Sequence, residues 1–294
     1  MASLTQVWVW RESIASGVRE QILTDSDGRN ESRIENMTLS RLSRSIDGKV
    51  AIVTGAASGM GRATAHLFGD EGASVALLDI NSEKLDRVVS EMHEAGYNAR
   101  GWLLDLSDRG AIQGVVDDIA SHFGAIDILI NNAGISIPVA IDSDDYASAW
   151  DKVIAVLLTA QTMMIRAALP HLRAAECGRI VNIASTEGLG ATRYGSPYTA
   201  AKTGVIGLTR SLAVELGREA ITVNCICPGP INTGMTAGIP EENKVIFAKR
   251  RTALGRYAEP EEVAHATLSL VLPAMQYVTG VTLPVDGGLT IKNA

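Results

Sequence analysis

The sequence predicts a doubly wound α/β fold, with one seven-stranded parallel sheet and helices on both of its faces. Three observations carry that expectation. From Lys49 onward, short runs rich in Val, Ile and Leu alternate with longer helical stretches. The runs are apolar on both sides, as strands buried in a covered parallel sheet must be. Polar clusters follow the carboxyl ends of these runs, which is where open α/β sheets bind their ligands.

The elements follow in order. Val50 to Thr54 is the first strand, and Gly55-Ala56-Ala57-Ser58-Gly59-Met60-Gly61 leads into a helix through His66 to Glu71. Ala73 to Asp79 is the second strand, followed by a helix from about Ser82 to Ala95. A third strand ends at Leu104-Asp105, and its helix runs to about Phe123. The fourth, Ile126 to Ile130, leads into Asn131-Asn132-Ala133-Gly134. A long helix then covers about Tyr146 to Ala174, before strand Arg179 to Ile183. The next helix carries Tyr198 and Lys202 to about Leu216, and strand Ile221 to Cys227 follows it. Asn232 to Glu259 reads as irregular and charged; a helix near Pro260 to Leu272 and strand Val281 to Val285 close the chain. Residues 48–294 therefore read as a single domain.

Residues 1–47 stand apart as an N-terminal extension, expected to be poorly ordered, with a short helix around Ile14 to Leu23. Two other readings fit this stretch: an upstream extension ahead of a start at Met37, or an arm anchored on a partner subunit by Trp8 and Trp10.

Composition narrows the class. The chain has 294 residues, 46% of them hydrophobic and 20% charged, enough to bury a sizeable core. A net charge of −7 and only 4% aromatic residues argue against nucleic acid or an anionic membrane as partner. No sequence run reads as a membrane span or a secretory signal, and a cytoplasmic location is expected. The five histidines lack ligand spacing, so no metal is assigned. Cys225 and Cys227 share a strand face and read, like Cys177, as reduced thiols.

Gly55, Gly59 and Gly61 lie between the first strand and the first helix, where a dinucleotide's pyrophosphate meets a helix N-terminus. Asp79 closes the second strand 24 residues after Gly55, placed to accept hydrogen bonds from the ribose hydroxyls of NAD and to repel the extra phosphate of NADP. NAD is the expected cofactor. Further along, Tyr198 and Lys202 are four residues apart on one helix face. A cation there is expected to pull the phenol below its usual pKa of about 10, which suits a general acid or base.

With Thr54-Gly55, Gly59, Gly61, Asn131-Asn132-Ala133-Gly134, Tyr198 and Lys202 in this order, the chain from about Gly48 onward resembles the short-chain dehydrogenase/reductase family, a Rossmann-type fold. The resemblance implies a catalytic serine at Ser185, 13 residues before Tyr198. It implies that Ser185 donates a hydrogen bond to the substrate oxygen, that Tyr198 exchanges a proton with it, and that Lys202 holds the nicotinamide ribose. Asp105 and Leu106 would flank the adenine, with Asn132, Ala133 and Gly134 near the ribose. Ser58 and Met60 belong to the pyrophosphate loop, and Pro228, Gly229, Ile231 and Thr233 to the segment that fixes the nicotinamide. Val285-Asp286-Gly287-Gly288 matches a C-terminal motif placed near a subunit contact. A homotetramer assembled through the long helices is implied, with a dimer second.

One departure stands out. The family's active-site asparagine, 28 residues before the serine, is Leu157 here. A weaker side-chain hold on the local helix distortion is expected, and with it a weakened proton relay. A non-catalytic NAD-binding regulatory or scaffold protein is the alternative to a secondary alcohol dehydrogenase or ketone reductase. Glu187, Tyr194 and Met235 are the substrate-pocket candidates, Glu187 reading equally as a ligand for a hydroxyl or cation and as an outward loop carboxylate. Met235, Ile239, Val245, Ile246 and Phe247 suggest a partly apolar lid, and Lys249-Arg250-Arg251 a solvated charge run. Substrate identity is not legible in the sequence.

Overall fold

The computed structural model describes residues 10–13, 18–24, 30–36 and 41–293. The chain divides into two units, Met1–Ser43 and Arg44–Ala294. In the first, strands β1 (Trp10–Ser13), β2 (Val18–Thr24) and β3 (Asn30–Asn36) form an antiparallel sheet in that order. The helix expected around Ile14 to Leu23 is not formed in its described part, since Val18–Thr24 is strand. A lone helix of that length is marginal in water. Pairing Val18–Thr24 with Asn30–Asn36 along their whole length instead satisfies the backbone groups. Trp8 and Met37 lie outside the described residues.

The second unit holds the sheet. Its strands are β4 (Val50–Thr54), β5 (Ser74–Asp79), β6 (Ala99–Leu103), β7 (Ile128–Asn131), β8 (Arg179–Ile183), β9 (Thr222–Pro228) and β10 (Thr282–Val285). They are parallel throughout, in the order β10-β9-β8-β7-β4-β5-β6. From β4 the chain builds outward through β5 and β6, then returns to place β7 on the other side of β4. The crevice at the carboxyl ends of β4 and β7 is therefore the topological switch point.

Helices α1 (Gly59–Asp70), α2 (Ser82–Glu94), α3 (Arg109–Phe123), α4 (Tyr146–Ile154), α5 (Ala160–Ala174), α6 (Ser196–Leu216), α7 (Glu241–Arg251) and α8 (Pro260–Val271) surround the sheet. Phe68 of α1, Val88 and Met92 of α2, and Val263 and Leu270 of α8 pack with Val53, Val75 and Ile130 on one face. Ile112 and Val116 of α3, Met164 and Leu172 of α5, and Ala213 of α6 pack with Ile52, Leu78 and Leu129 on the other. Several helix starts are fixed by side chains. Asn81 accepts from the Lys84 N–H, Asp108 from those of Gly110 and Ala111, and Glu259 with Glu262 forms a capping box.

The stretch expected to be irregular contains α7. Its sequence has acidic Glu241 and Glu242 in the first turn and Lys249, Arg250 and Arg251 in the last, a charge order that complements the helix dipole. Only Ala248 of this helix is buried, so no apolar stripe announces it. The 29-residue helical run Tyr146–Ala174 is long and apolar enough, by length and composition, to cross a membrane, beyond what the sequence reading allowed. Val153, Leu157, Met164, Ala168 and Leu172 are buried in the core, which accounts for its apolar character.

A polar network crosses this apolar interior. Asn131 of β7 donates to Asn182 of β8 (2.9 Å), and Asn182 donates to Thr209 of α6 (3.0 Å). It fixes α6 over β7 and β8. Replacing Asn182 by Ala leaves buried groups on both neighbours without that partner. We expect a loss of about 1–3 kcal/mol, read as a lower urea midpoint with an unchanged m-value.

Candidate active site

At the switch point, Thr54 and Asn132 bind the two central strands together. The Asn132 and Ala133 N–H groups donate to the Thr54 hydroxyl (2.9 and 3.0 Å), and the Asn132 amide donates to the Thr54 carbonyl (2.8 Å). Asn132 thus shapes the floor of the crevice. Gly61 allows this closeness, since a Cβ there would stand 2.1 Å from the Gly55 carbonyl oxygen and 2.5 Å from the Asn132 amide nitrogen. Gly55 and Gly59 have φ of +65° and +54°, a region that favours glycine.

These residues fit a dinucleotide. Helix α1 starts at the glycine loop with no side-chain cap on its N-terminus and no acidic residue in its first turn, leaving its positive end suited to a pyrophosphate. Ser58 is exposed beside it, with Gly59 and Met60 half-buried. Asp79 lies at the loop's flank, where its carboxylate accepts from the Ala57 N–H (3.0 Å) and from its own turn at Asn81 (3.0 Å). Asp79 is thus both a turn residue and a carboxylate held at the edge of the cradle. Asp105 is exposed and accepts from Ser107, with Leu106 half-buried next to it. Thr233 reaches the loop from the far side, its methyl 3.2 Å from where a Gly59 Cβ would be. Ile231 is buried and bridges to Ala258, while Gly229 donates to the Val285 carbonyl (3.0 Å), joining Pro228-Gly229 to the C-terminal motif. Gly134 is exposed, 3.4 Å at its Cβ position from Leu157.

Ser185, Tyr198 and Lys202 are brought together at the carboxyl end of β8. Lys202 is 3% exposed, and its Nζ donates to the Ile183 carbonyl (2.7 Å) and lies 5.6 Å from the centre of the Tyr198 ring. Burial drives its pKa down to about 8. Tyr198 packs against Val153, Leu157 and Ala201. Here the sequence expectation is reversed. Burial pushes the phenol above its ordinary value, a hydrogen bond with Ser185 pulls it back in part, and the Glu187 charge adds to the rise. The ammonium offsets little because it is itself desolvated and turned to a backbone carbonyl. Cys225 and Cys227 are free and fully buried, and Cys227 lies close enough to influence both Tyr198 and Lys202.

Of the pocket candidates, Glu187 is half-buried and accepts from the Thr192 hydroxyl (2.6 Å). Tyr194 and Met235 are exposed at 47% and 56%. Tyr194 adopts φ +66°, its carbonyl taking the Val139 N–H (2.9 Å) while Arg193 stacks on its ring. Ile183 and Thr192 escaped sequence reasoning: the first acts through its carbonyl, and the second depends on a loop closure no local pattern encodes.

The helix distortion is present with Leu157 in place of the asparagine. Residues Ala155–Thr159 form a π-helical turn between α4 and α5, with the Ala160 N–H donating to the Ala155 carbonyl five residues back. Leu157 is fully buried with Val153, Ala201 and the Tyr198 ring, so apolar packing holds the wide turn. Leu157→Asn is expected to raise turnover on a good substrate with NAD affinity unchanged; equal or lower turnover would count against a deficit in proton relay. Lys202 gives a stability signature. Its folded pKa near 8 lies below its ordinary 10.5, so the folded state releases the proton first as pH rises. Wild-type stability relative to Lys202→Met should therefore grow between pH 8 and 10.5, by up to about 3 kcal/mol, in denaturant titrations across that range.

Comparison with known proteins agrees with this geometry. The family model described as enoyl-(acyl carrier protein) reductase matches residues 55–290. Cis-4-hydroxycyclohexanecarboxylate dehydrogenase of Sinomonas cyclohexanicum is 40% identical, over 82% of this chain and 96% of its own. Meso-2,3-butanediol dehydrogenase of Serratia marcescens is 37% identical, over 84% and 96%. Carveol dehydrogenase from Mycobacterium avium, solved in complex with NAD, superposes with a TM-score of 0.81 at 29% identity, covering 85% of this chain and 100% of that one. With its glycine cradle, its parallel sheet and these relatives, the chain belongs to the short-chain dehydrogenase/reductase family.

Proposed function

We propose that Tyr198 is the general acid–base, Ser185 the oxyanion-side hydrogen-bond donor and Lys202 the positioning cation of a dehydrogenase that converts a secondary alcohol to its ketone. The enzyme is an NAD-dependent oxidoreductase acting on alcohols and ketones. The observation that carries the assignment of roles is the meeting of Ser185, Tyr198 and buried Lys202 at the end of β8, beside the glycine cradle.

Bound NAD supplies the hydride acceptor for alcohol oxidation and, reduced, the donor for the reverse. The Ser185 hydroxyl donates to the substrate oxygen and keeps it next to the Tyr198 phenol. Tyr198 in its phenolate form takes the hydroxyl proton as the carbinol C–H bond breaks; for ketone reduction the phenol returns it. Each event needs the other charge state, so the titration of Tyr198 sets the favourable pH. Lys202, fixed by Ile183, places a cation behind the phenol and donors toward a nicotinamide ribose. Asp79 selects NAD over NADP by accepting from the adenosine ribose hydroxyls and repelling a phosphate. The non-catalytic alternative has no support among the relatives.

A homotetramer is the assembly we favour, with a dimer second. Trp150 of α4 and Val214 of α6 are 36% and 85% exposed, and Met163 of α5 and Leu208 of α6 are only half-buried, apolar surface suited to a twin helix pair.

A panel of secondary alcohols, followed at the NADH absorbance, tests these roles. Tyr198→Phe is expected to lower kcat by about 10²–10⁴-fold with NADH binding retained, and NADP should be the poorer cofactor. An unimpaired Tyr198→Phe enzyme would remove Tyr198 from the reaction.

A further inference from the structure

We propose that Glu187 binds a second hydroxyl group of the substrate, so that the preferred substrates are uncharged vicinal diols or polyols oxidised at the carbinol next to the one Glu187 holds. This rests on the assignment of Ser185 and Tyr198 to the reacting oxygen.

The geometry starts from a short 3-10 turn, Thr186–Gly188, immediately after Ser185. The Glu187 N–H donates to the Ser185 hydroxyl oxygen (3.1 Å), tying the two residues at the mouth of the site. The turn is clamped on α6: a Cβ at Gly188 would stand 2.9 Å from the Lys202 carbonyl oxygen, and the Thr203 hydroxyl donates to the Gly188 carbonyl (3.3 Å). The carboxylate is in turn fixed by the Thr192 hydroxyl on Oε1 (2.6 Å). Among the described residues its Oε2 accepts no hydrogen bond and no cation pairs with it. The phenol of Tyr198 senses this charge, which adds to the upward shift of its pKa.

An ionised carboxylate only accepts hydrogen bonds. A half-buried one with a free oxygen, two residues beyond the serine assigned to the reacting oxygen and near enough to shift the Tyr198 phenol, suits a hydrogen-bond donor carried by the substrate close to the reacting centre. A neighbouring hydroxyl meets that demand. A carboxylate or phosphate at the same place would meet repulsion at short range. The loop's arginine, Arg193, forms no ion pair with Glu187 among the described residues, its guanidinium stacking on Tyr194 instead.

Matched substrates test the proposal: 2,3-butanediol against 2-butanol, 1,2-cyclohexanediol against cyclohexanol, and 3-hydroxybutanoate as the anionic arm, each with NAD. We expect wild-type kcat/KM to favour the diols by about 10–100-fold, the range of one hydrogen bond to a charged group, and the anion to be the poorest. The diol-to-monoalcohol ratio should fall in Glu187→Gln, fall further toward one in Glu187→Leu, mainly through KM, and be partly restored in Glu187→Asp. Thr192→Val, which frees the carboxylate without removing it, should lower the ratio by less, with NADH fluorescence confirming folded sites throughout. Oxidation of monoalcohols with no diol preference, a ratio indifferent to Glu187→Leu, or preference for the anion would each overturn this proposal while leaving the dehydrogenase reading intact. Oxidation of none of these alcohols despite NADH binding would overturn both.

Discussion

The structure depends on one buried ammonium. Lys202, 3% exposed, has one acceptor among the described residues, the Ile183 carbonyl at 2.7 Å. Burying a cation is costly, and the protein meets that cost with a backbone dipole at the carboxyl end of β8 and with a pKa lowered to about 8. The bond ties α6 to the carboxyl end of β8. Once Lys202 is in place, Tyr198 one turn earlier faces the apolar group of Val153, Leu157 and Ala201, and Ser185 comes within reach of the phenol. The Asn131–Asn182–Thr209 chain holds the same helix to the same strands from below.

Tuning of the phenol follows from this packing rather than from simple attraction between the two side chains. Apolar burial raises the tyrosine and lowers the lysine, so each group favours its neutral form. A site arranged this way responds strongly to any further positive charge brought near the phenol, and oxidised nicotinamide carries one. A buried lysine beside a half-buried phenol, each shifted toward its neutral form, is costly to stability and useful to chemistry, the usual exchange at functional sites.

Much of this was legible in the sequence, because the strands are two-sided apolar runs and the loops use residues with few substitutes. Val50–Thr54, Arg179–Ile183 and the glycine loop announced themselves by composition and spacing. Asp79, Ser185, Tyr198 and Lys202 could be placed on the right strand ends and helix face. What escaped depends on the third dimension. Helix α7 buries only Ala248 and shows no stripe, although its charge order marked it. The π-helical turn at Leu157 persists through packing partners distant in sequence, Ala201 and Tyr198. The direction of the Tyr198 shift required knowing how deeply the ring is buried, and the bond from Thr192 to Glu187 required a loop that folds back on itself.

The most direct measurement is the phenolate titration of Tyr198, taken as the ultraviolet difference between wild type and Tyr198→Phe. Without nucleotide it should titrate above its ordinary value of 10, and saturation with NAD in its oxidised form should move it down. A phenol that titrates well below 10 before any nucleotide is added would contradict burial as the dominant influence and restore Lys202 to that role.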